Sequence, residues 1–127
     1  MQIEQLAKEI VDAAFKVHSQ LGPGLLESAY ESCLIFELQK RGLAVESQVS
    51  QPVIYESLKI DAGYRLDLLV ENQIIIELKA VEQLLPIHKA QLLTYLKLSQ
   101  KTLGFLINFN SPLIKDGIKR IVLNHPS

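Results

Sequence analysis

Much of what commonly announces a function is missing from this chain. It has one cysteine, Cys33, so no intrachain disulfide can form, and that residue reads as a small core side chain. No run approaches the roughly 18 apolar residues that a membrane helix needs. The opening "MQIEQLAKEIVDAAFKVHSQ" carries charges among its apolar positions and lacks the apolar centre of a signal peptide. The expectation is a cytoplasmic protein with no membrane role. There is no internal repeat and no low-complexity segment. There is no basic surplus either, because 13 Lys and Arg stand against 14 Asp and Glu, for a formal charge of −1. That balance disfavours a non-specific nucleic-acid binder, unless several acids sit in a cation site and leave the remaining surface positive. Helix-turn-helix, zinc-finger and aromatic RNA-binding signatures are all absent, so nothing points to sequence-specific recognition.

What is present is a well-mixed globular sequence. Residues 1–127 have the length of a single domain, and 48% apolar against 21% charged residues is enough for a core. Leu6, Ile10, Ala13, Ala14, Val17 and Leu21 recur at helical spacing, which predicts a helix from about Ile3 to Ser19. "GPG" at 22–24 breaks it. A second helix is expected from about Leu25 to Lys40, with Leu26, Tyr30, Cys33, Leu34 and Leu38 buried and Gly42 ending it. The period then shortens. "VSQPVIYES" predicts a strand that Pro52 makes irregular or an edge, and "GYRLDLLV" and "QIIIELKA" predict two more. Pro86 opens a third helix, "PIHKAQLLTYLKLSQ". "LGFLINF" reads as a buried strand and "GIKRIVL" as a last, more exposed one. The order α-α-β-β-β-α-β-β suits a layered α/β domain, and a strand on each side of the third helix permits one parallel crossover pair.

Three charges interrupt the most apolar part of the chain: Asp67, Glu77 and Lys79. Alternation puts Arg65, Asp67 and Leu69 on one face of their strand, with Leu66, Leu68 and Val70 on the other. In the next strand Ile75, Glu77 and Lys79 oppose Ile74, Ile76 and Leu78. If Glu71-Asn72-Gln73 forms a three-residue loop, Asp67 lies across from Glu77 and Lys79 is its diagonal neighbour. A two-residue turn would place the acids on opposite faces. Facing carboxylates repel unless one is protonated or a cation lies between them. A hard divalent ion binds through one or two carboxylates while keeping several waters, and it can activate one of those waters against a phosphoryl group. Lys79 would orient that water or neutralise developing charge. The plainer alternative is a solvated sheet face with Lys79 paired to an acid.

Asp67 followed by Glu77-Leu78-Lys79 resembles the acid, acid-x-lysine signature of the PD-(D/E)XK nuclease superfamily, with Leu66 where the motif's proline would stand. "GLLESAY" at 24–30 resembles the motif of the GxxExxY proteins within that superfamily, and "LGPGLLESAYE", "YRLDLLV", "IIIELKAVE", "HKAQLLTYL", "LINFN" and "GIKR" follow that family's order. The resemblance implies a restriction-endonuclease-like fold, a mixed sheet flanked by helices. It implies a Mg²⁺ or Mn²⁺ site formed by Glu27, Asp67, Glu77 and the backbone carbonyl of Leu78, with Asp67, Glu77 and Lys79 catalytic. Gln91 and Tyr95, from "QLLTY", would orient substrate or lysine from one helix face. Arg65 and Tyr30 would touch substrate. Each has an ordinary alternative: Glu27 as a favourable charge at a helix N-terminus, Tyr30 and Tyr95 as core, Gln91 as a solvated side chain. The expected activity is phosphodiester hydrolysis in nucleic acid, DNA before RNA, with a homodimer as one way to cover a duplex. The rivals are a catalytically silent nucleic-acid- or protein-binding member of the fold, and a module whose acids hold a cation for stability.

Overall fold

A computed structural model describes residues 1–126. The elements are α1 (Ile3–Leu21), α2 (Glu27–Lys40), β1 (Val45–Ser50), β2 (Val53–Tyr55), β3 (Leu58–Ile60), β4 (Arg65–Val70), β5 (Ile74–Lys79), α3 (Pro86–Ser99), β6 (Leu103–Asn108), α4 (Ile114–Gly117) and β7 (Ile118–Val122). Five strands form one sheet in the order β1-β4-β5-β6-β7; β2 and β3 make a separate small hairpin. The main elements follow the expected order. The strand expected over residues 49–57 is divided at Gln51 and Pro52: its start ends β1, which begins earlier at Val45, and its remainder is β2, paired with β3 outside the main sheet. The single turn α4 is too short to produce a periodic signal.

Burial explains the layering. Ile74, Ile76 and Leu78 of β5 share one cluster with Leu6, Ile10, Ala14 and Val17 of α1 and Tyr30, Leu34 and Leu38 of α2. Ile75, between them, joins Leu92, Tyr95 and Leu96 of α3 in a second cluster on the other face. Strand alternation thus sorts β5 between two helical layers. The crossover through α3 makes β5 and β6 parallel, with Ile74 beside Leu103 and Lys79 beside Asn108; the remaining neighbours in the sheet are antiparallel. Gly104 lets α3 pack close, since a Cβ there would meet a Leu92 methyl at 3.0 Å. Lys16 and Arg41 hold Glu37 at 3.2 and 2.9 Å, joining α1 to α2. These pairs offset the burial of the Glu37 charge, and the apolar layers on the two faces of the sheet dominate the packing.

Three local expectations are corrected. Leu26 is not in the α2 stripe: it is the residue before the helix and 78% exposed. Cys33 is half-buried at the rim of the larger cluster rather than inside it. Strict alternation also fails in β4. Leu68 and Val70 face α1 and α2, but Leu66 packs with Leu69 in the α3 cluster. The slip falls across Asp67.

Candidate active site

The β4–β5 turn fixes the site's register. Residues 71–73 form the loop, with Glu71 and Asn72 at φ 52° and 53° and the Gln73 N–H donating to the Val70 carbonyl at 2.9 Å. Leu68, Leu69 and Val70 then pair with Ile76, Ile75 and Ile74. One step further, where Asp67 meets Glu77, side chains take over from the backbone ladder. The Asp67 N–H donates to Glu77 Oε2 at 2.8 Å, and the Leu78 N–H donates to Asp67 Oδ2 at 2.7 Å. The two carboxylates are interlocked through the neighbouring strand's amides.

Their electrostatics differ from those of a surface pair. Glu77 is 5% exposed, and burial pushes its pKa up to about 8, helped by the charge of Asp67 and opposed by the Asp67 N–H and Lys79. Burial also raises Asp67, while the Leu78 N–H, Lys79 and Gln48 pull it back. Glu27 stands exposed in the first turn of α2, yet its carboxyl is shielded enough for burial to raise its pKa, and Asp67's charge adds to the effect. Glu27, Asp67, Glu77 and Lys79 therefore share one electrostatic neighbourhood. Tyr95 joins it: burial raises its hydroxyl pKa, and Glu77, Tyr64 and Asp67 raise it further.

The donor set suits a hard cation. Each strand carboxylate spends one oxygen on a backbone N–H and keeps further lone pairs. Protonation of Glu77 near neutral pH is what burial and a like charge impose when no cation compensates them. Among the described residues, no three His, Cys, Asp or Glu side chains converge closely enough to hold an ion together. Asp67 and Glu77 are the locked pair, and Glu27 stands off it. An ion on two carboxylates with waters is a Mg²⁺-like arrangement.

The other candidates are distributed unevenly. Gln91 and Tyr95 line one groove of about 360 Å³ with Val53, Tyr64, Ile87 and Thr94. The Tyr64 and Tyr95 rings lie 6.2 Å apart and tilted. Arg65 is exposed, its Nη1 donating to the Ser50 hydroxyl and the Tyr64 carbonyl at 3.3 and 3.2 Å. The side chain of Leu78 lies in the α1–α2 core. Tyr30 does not reach a substrate surface, which corrects that expectation. It is fully buried, stacks on Phe109 at 4.7 Å, and has a committed hydroxyl. That hydroxyl donates to the Gly22 carbonyl at 2.6 Å and accepts from the Leu25 N–H at 3.1 Å. Gly24, at φ 98°, donates its N–H to Asn110 Oδ1 at 3.0 Å. The glycine and tyrosine of "GLLESAY" thus tie down the loop that presents Glu27. Of the basic residues on β7, Arg120 is taken by Glu4 at 2.8 Å.

Sequence reasoning passed over two side chains. Asn108, 2% exposed, accepts from the Val81 N–H and donates to the Val81 carbonyl at 3.1 and 2.9 Å, fixing the chain just after Lys79. Gln48 Nε2 donates to Glu31 Oε1 at 2.8 Å beside Asp67. Neither contact has a local signature, since each joins residues far apart in the chain.

The sequence model of the PD-(D/E)XK nuclease superfamily matches residues 4–121, and the chain belongs to that superfamily. No curated protein and no solved structure matches it.

Proposed function

We propose that this member of the PD-(D/E)XK nuclease superfamily is a divalent-metal-dependent nuclease of the GxxExxY kind, acting on DNA in preference to RNA. The observation that carries this reading is the interlock of half-buried Asp67 with buried Glu77, with Lys79 at the end of the same strand as Glu77. Stability alone would not favour it, because burying like-charged carboxylates without a cation is unfavourable. Asp67 and Glu77 would hold Mg²⁺ or Mn²⁺, with Glu27 contributing from α2 and the Leu78 carbonyl as a further donor. The bound ion would supply charge neutralisation at the phosphate and a more acidic water.

The chain's own groups do the rest. Lys79 orients the attacking water and offsets negative charge developing on the phosphoryl oxygens. The locked amides of Asp67 and Leu78 keep both carboxylates in place, so little reorganisation accompanies the reaction. Tyr95, which feels the charges of Glu77 and Asp67, and Gln91 beside it orient substrate along their groove. Arg65, at the start of β4, reaches phosphates away from the reacting one.

The test is cleavage of end-labelled single-stranded, duplex and branched DNA, and of RNA, with Mg²⁺ or Mn²⁺ beside Lys79→Ala. The expected result is metal-dependent cleavage that EDTA and the substitution both remove. Wild-type protein that cleaves no more than Lys79→Ala on any of these substrates would replace this reading with that of a silent binding module.

A further inference from the structure

Among the described residues, six non-glycine positions have left-handed backbone: Gln48, Glu56, Glu71, Asn72, Gln100 and Asn124. Glu56, Glu71 and Asn72 are in hairpin turns, Gln100 caps α3, and Asn124 lies in a bend after β7. Such positions commonly reverse the chain. Gln48 is different: at φ 53° it sits in the middle of β1. Ser47 pairs with Leu68 and Val49 with Leu66, so Gln48 stands opposite Asp67 at the one step where the ladder is interrupted. A left-handed L-residue inside a strand is unfavourable and persists only where its surroundings hold it.

The side chain shows what holds it. The Gln48 amide has two N–H groups. Nε2 donates to Glu31 Oε1 at 2.8 Å, and the amide is near enough to Asp67, which it faces across the interrupted ladder, to pull that carboxyl's pKa down. Glu31 lies one turn beyond Glu27 on α2, on the same side of the helix. We propose that Gln48 is a positioning residue of the metal site, holding Glu31 of α2 from its place opposite Asp67 and thereby setting α2, with Glu27, against the β4–β5 acids. An ordinary exposed strand glutamine would explain neither the backbone conformation nor the position opposite Asp67.

The inference rests on the nuclease reading for its metal, but its test does not need turnover. Mn²⁺ binding is measured by calorimetry on the full chain, with melting in EDTA alongside, for wild type, Gln48→Gly, Glu31→Ala and the double substitution. Glycine accepts the left-handed backbone, so Gln48→Gly is expected to melt no lower than wild type while its Mn²⁺ affinity falls roughly 10- to 100-fold, as when a ligand loses its supporting partner. Glu31→Ala is expected to weaken binding less, and the double substitution to lose no more than Gln48→Gly alone, because both act through one contact. If Gln48→Gly fails to fold, Glu31→Ala decides alone, since Glu31 is a half-buried helix residue outside the core clusters. Wild-type affinity in folded Gln48→Gly, or in Glu31→Ala where that substitution decides, overturns the inference and leaves the nuclease reading standing. A wild type that binds Mn²⁺ but cleaves nothing does the reverse. A wild type that binds no Mn²⁺ overturns both.

Discussion

The β4–β5 pair is built two ways along one length. From Val70 back to Leu68 it is a regular antiparallel ladder whose side chains are buried among helices on both faces. At Asp67 and Glu77 carboxylates replace carbonyls as acceptors for the strand amides. The turn half makes the strands adjacent, and the open half uses that adjacency to hold two acids that would otherwise separate. If this division is correct, damage to the two halves should appear in different measurements.

The largest effect is expected in the turn half. Ile76 is fully buried between Leu68 and Phe105, its neighbours in the adjoining strands. Ile76→Ala should cost about 2–5 kcal/mol of stability through lost transfer and an unfilled cavity. Chemical denaturation measures that loss; cleavage per folded molecule should change little. Lys79→Ala, three residues on, should behave in the opposite way. Cleavage should fall about 10²–10³-fold, the usual loss when one charge-stabilising group is removed, with stability within about 0.5 kcal/mol of wild type. A stability loss for Lys79→Ala comparable to that of Ile76→Ala would break the comparison.

Acidity sharpens it further. Glu77 has its folded pKa raised from 4.5 to about 8, so the native state binds a proton there more tightly than the unfolded chain does. Stability from this group is fully present below about pH 4.5 and is lost as pH rises toward 8. In EDTA the melting temperature should decline over that window, and Glu77→Gln should flatten this part of the decline. A divalent ion competes with the proton for the same carboxylates, so added Mn²⁺ should raise the melting temperature more at about pH 8.5 than at about pH 6. Equal metal stabilisation at both pH values would remove Glu77 from the ligand set.

The two halves are also unequally legible in the sequence. The helical periods follow from local pattern, and the element order permits the parallel crossover around α3; the register depends on the turn length, and the three-residue loop brings Asp67 opposite Glu77 once Val70 pairs with Ile74. The departures share a different cause. Leu66 changes face because the ladder is interrupted at Asp67, and Tyr30, buried as its helical stripe predicts, is kept from substrate by Phe109, 79 positions away, and by the bonds of its hydroxyl to Gly22 and Leu25. Gln48 takes a left-handed backbone where nothing in "VESQVS" requires one; its partner Glu31 lies on a helix, and Asp67, which it faces, on another strand. Periodicity reports which face a residue prefers. It carries no information about which distant group will be there to bond it.

The smallest effect isolates that last point. Asn72 and Gln48 share φ 53°, one in the β4–β5 turn and the other opposite the acids. Glycine accepts this backbone at both positions, but it also loses more freedom on folding, so the two contributions largely offset each other. Asn72→Gly should therefore shift stability by less than about 1 kcal/mol and leave Mn²⁺ affinity and cleavage at wild-type values. Its exposed side chain takes no part in the bonds that interlock Asp67 and Glu77. Gln48→Gly makes the same backbone exchange and removes an amide between two acids. A metal-affinity loss in Gln48→Gly alone would assign the effect to that amide. An equal loss in both would assign it to the shape of the sheet, and the boundary between the two halves of the hairpin would disappear.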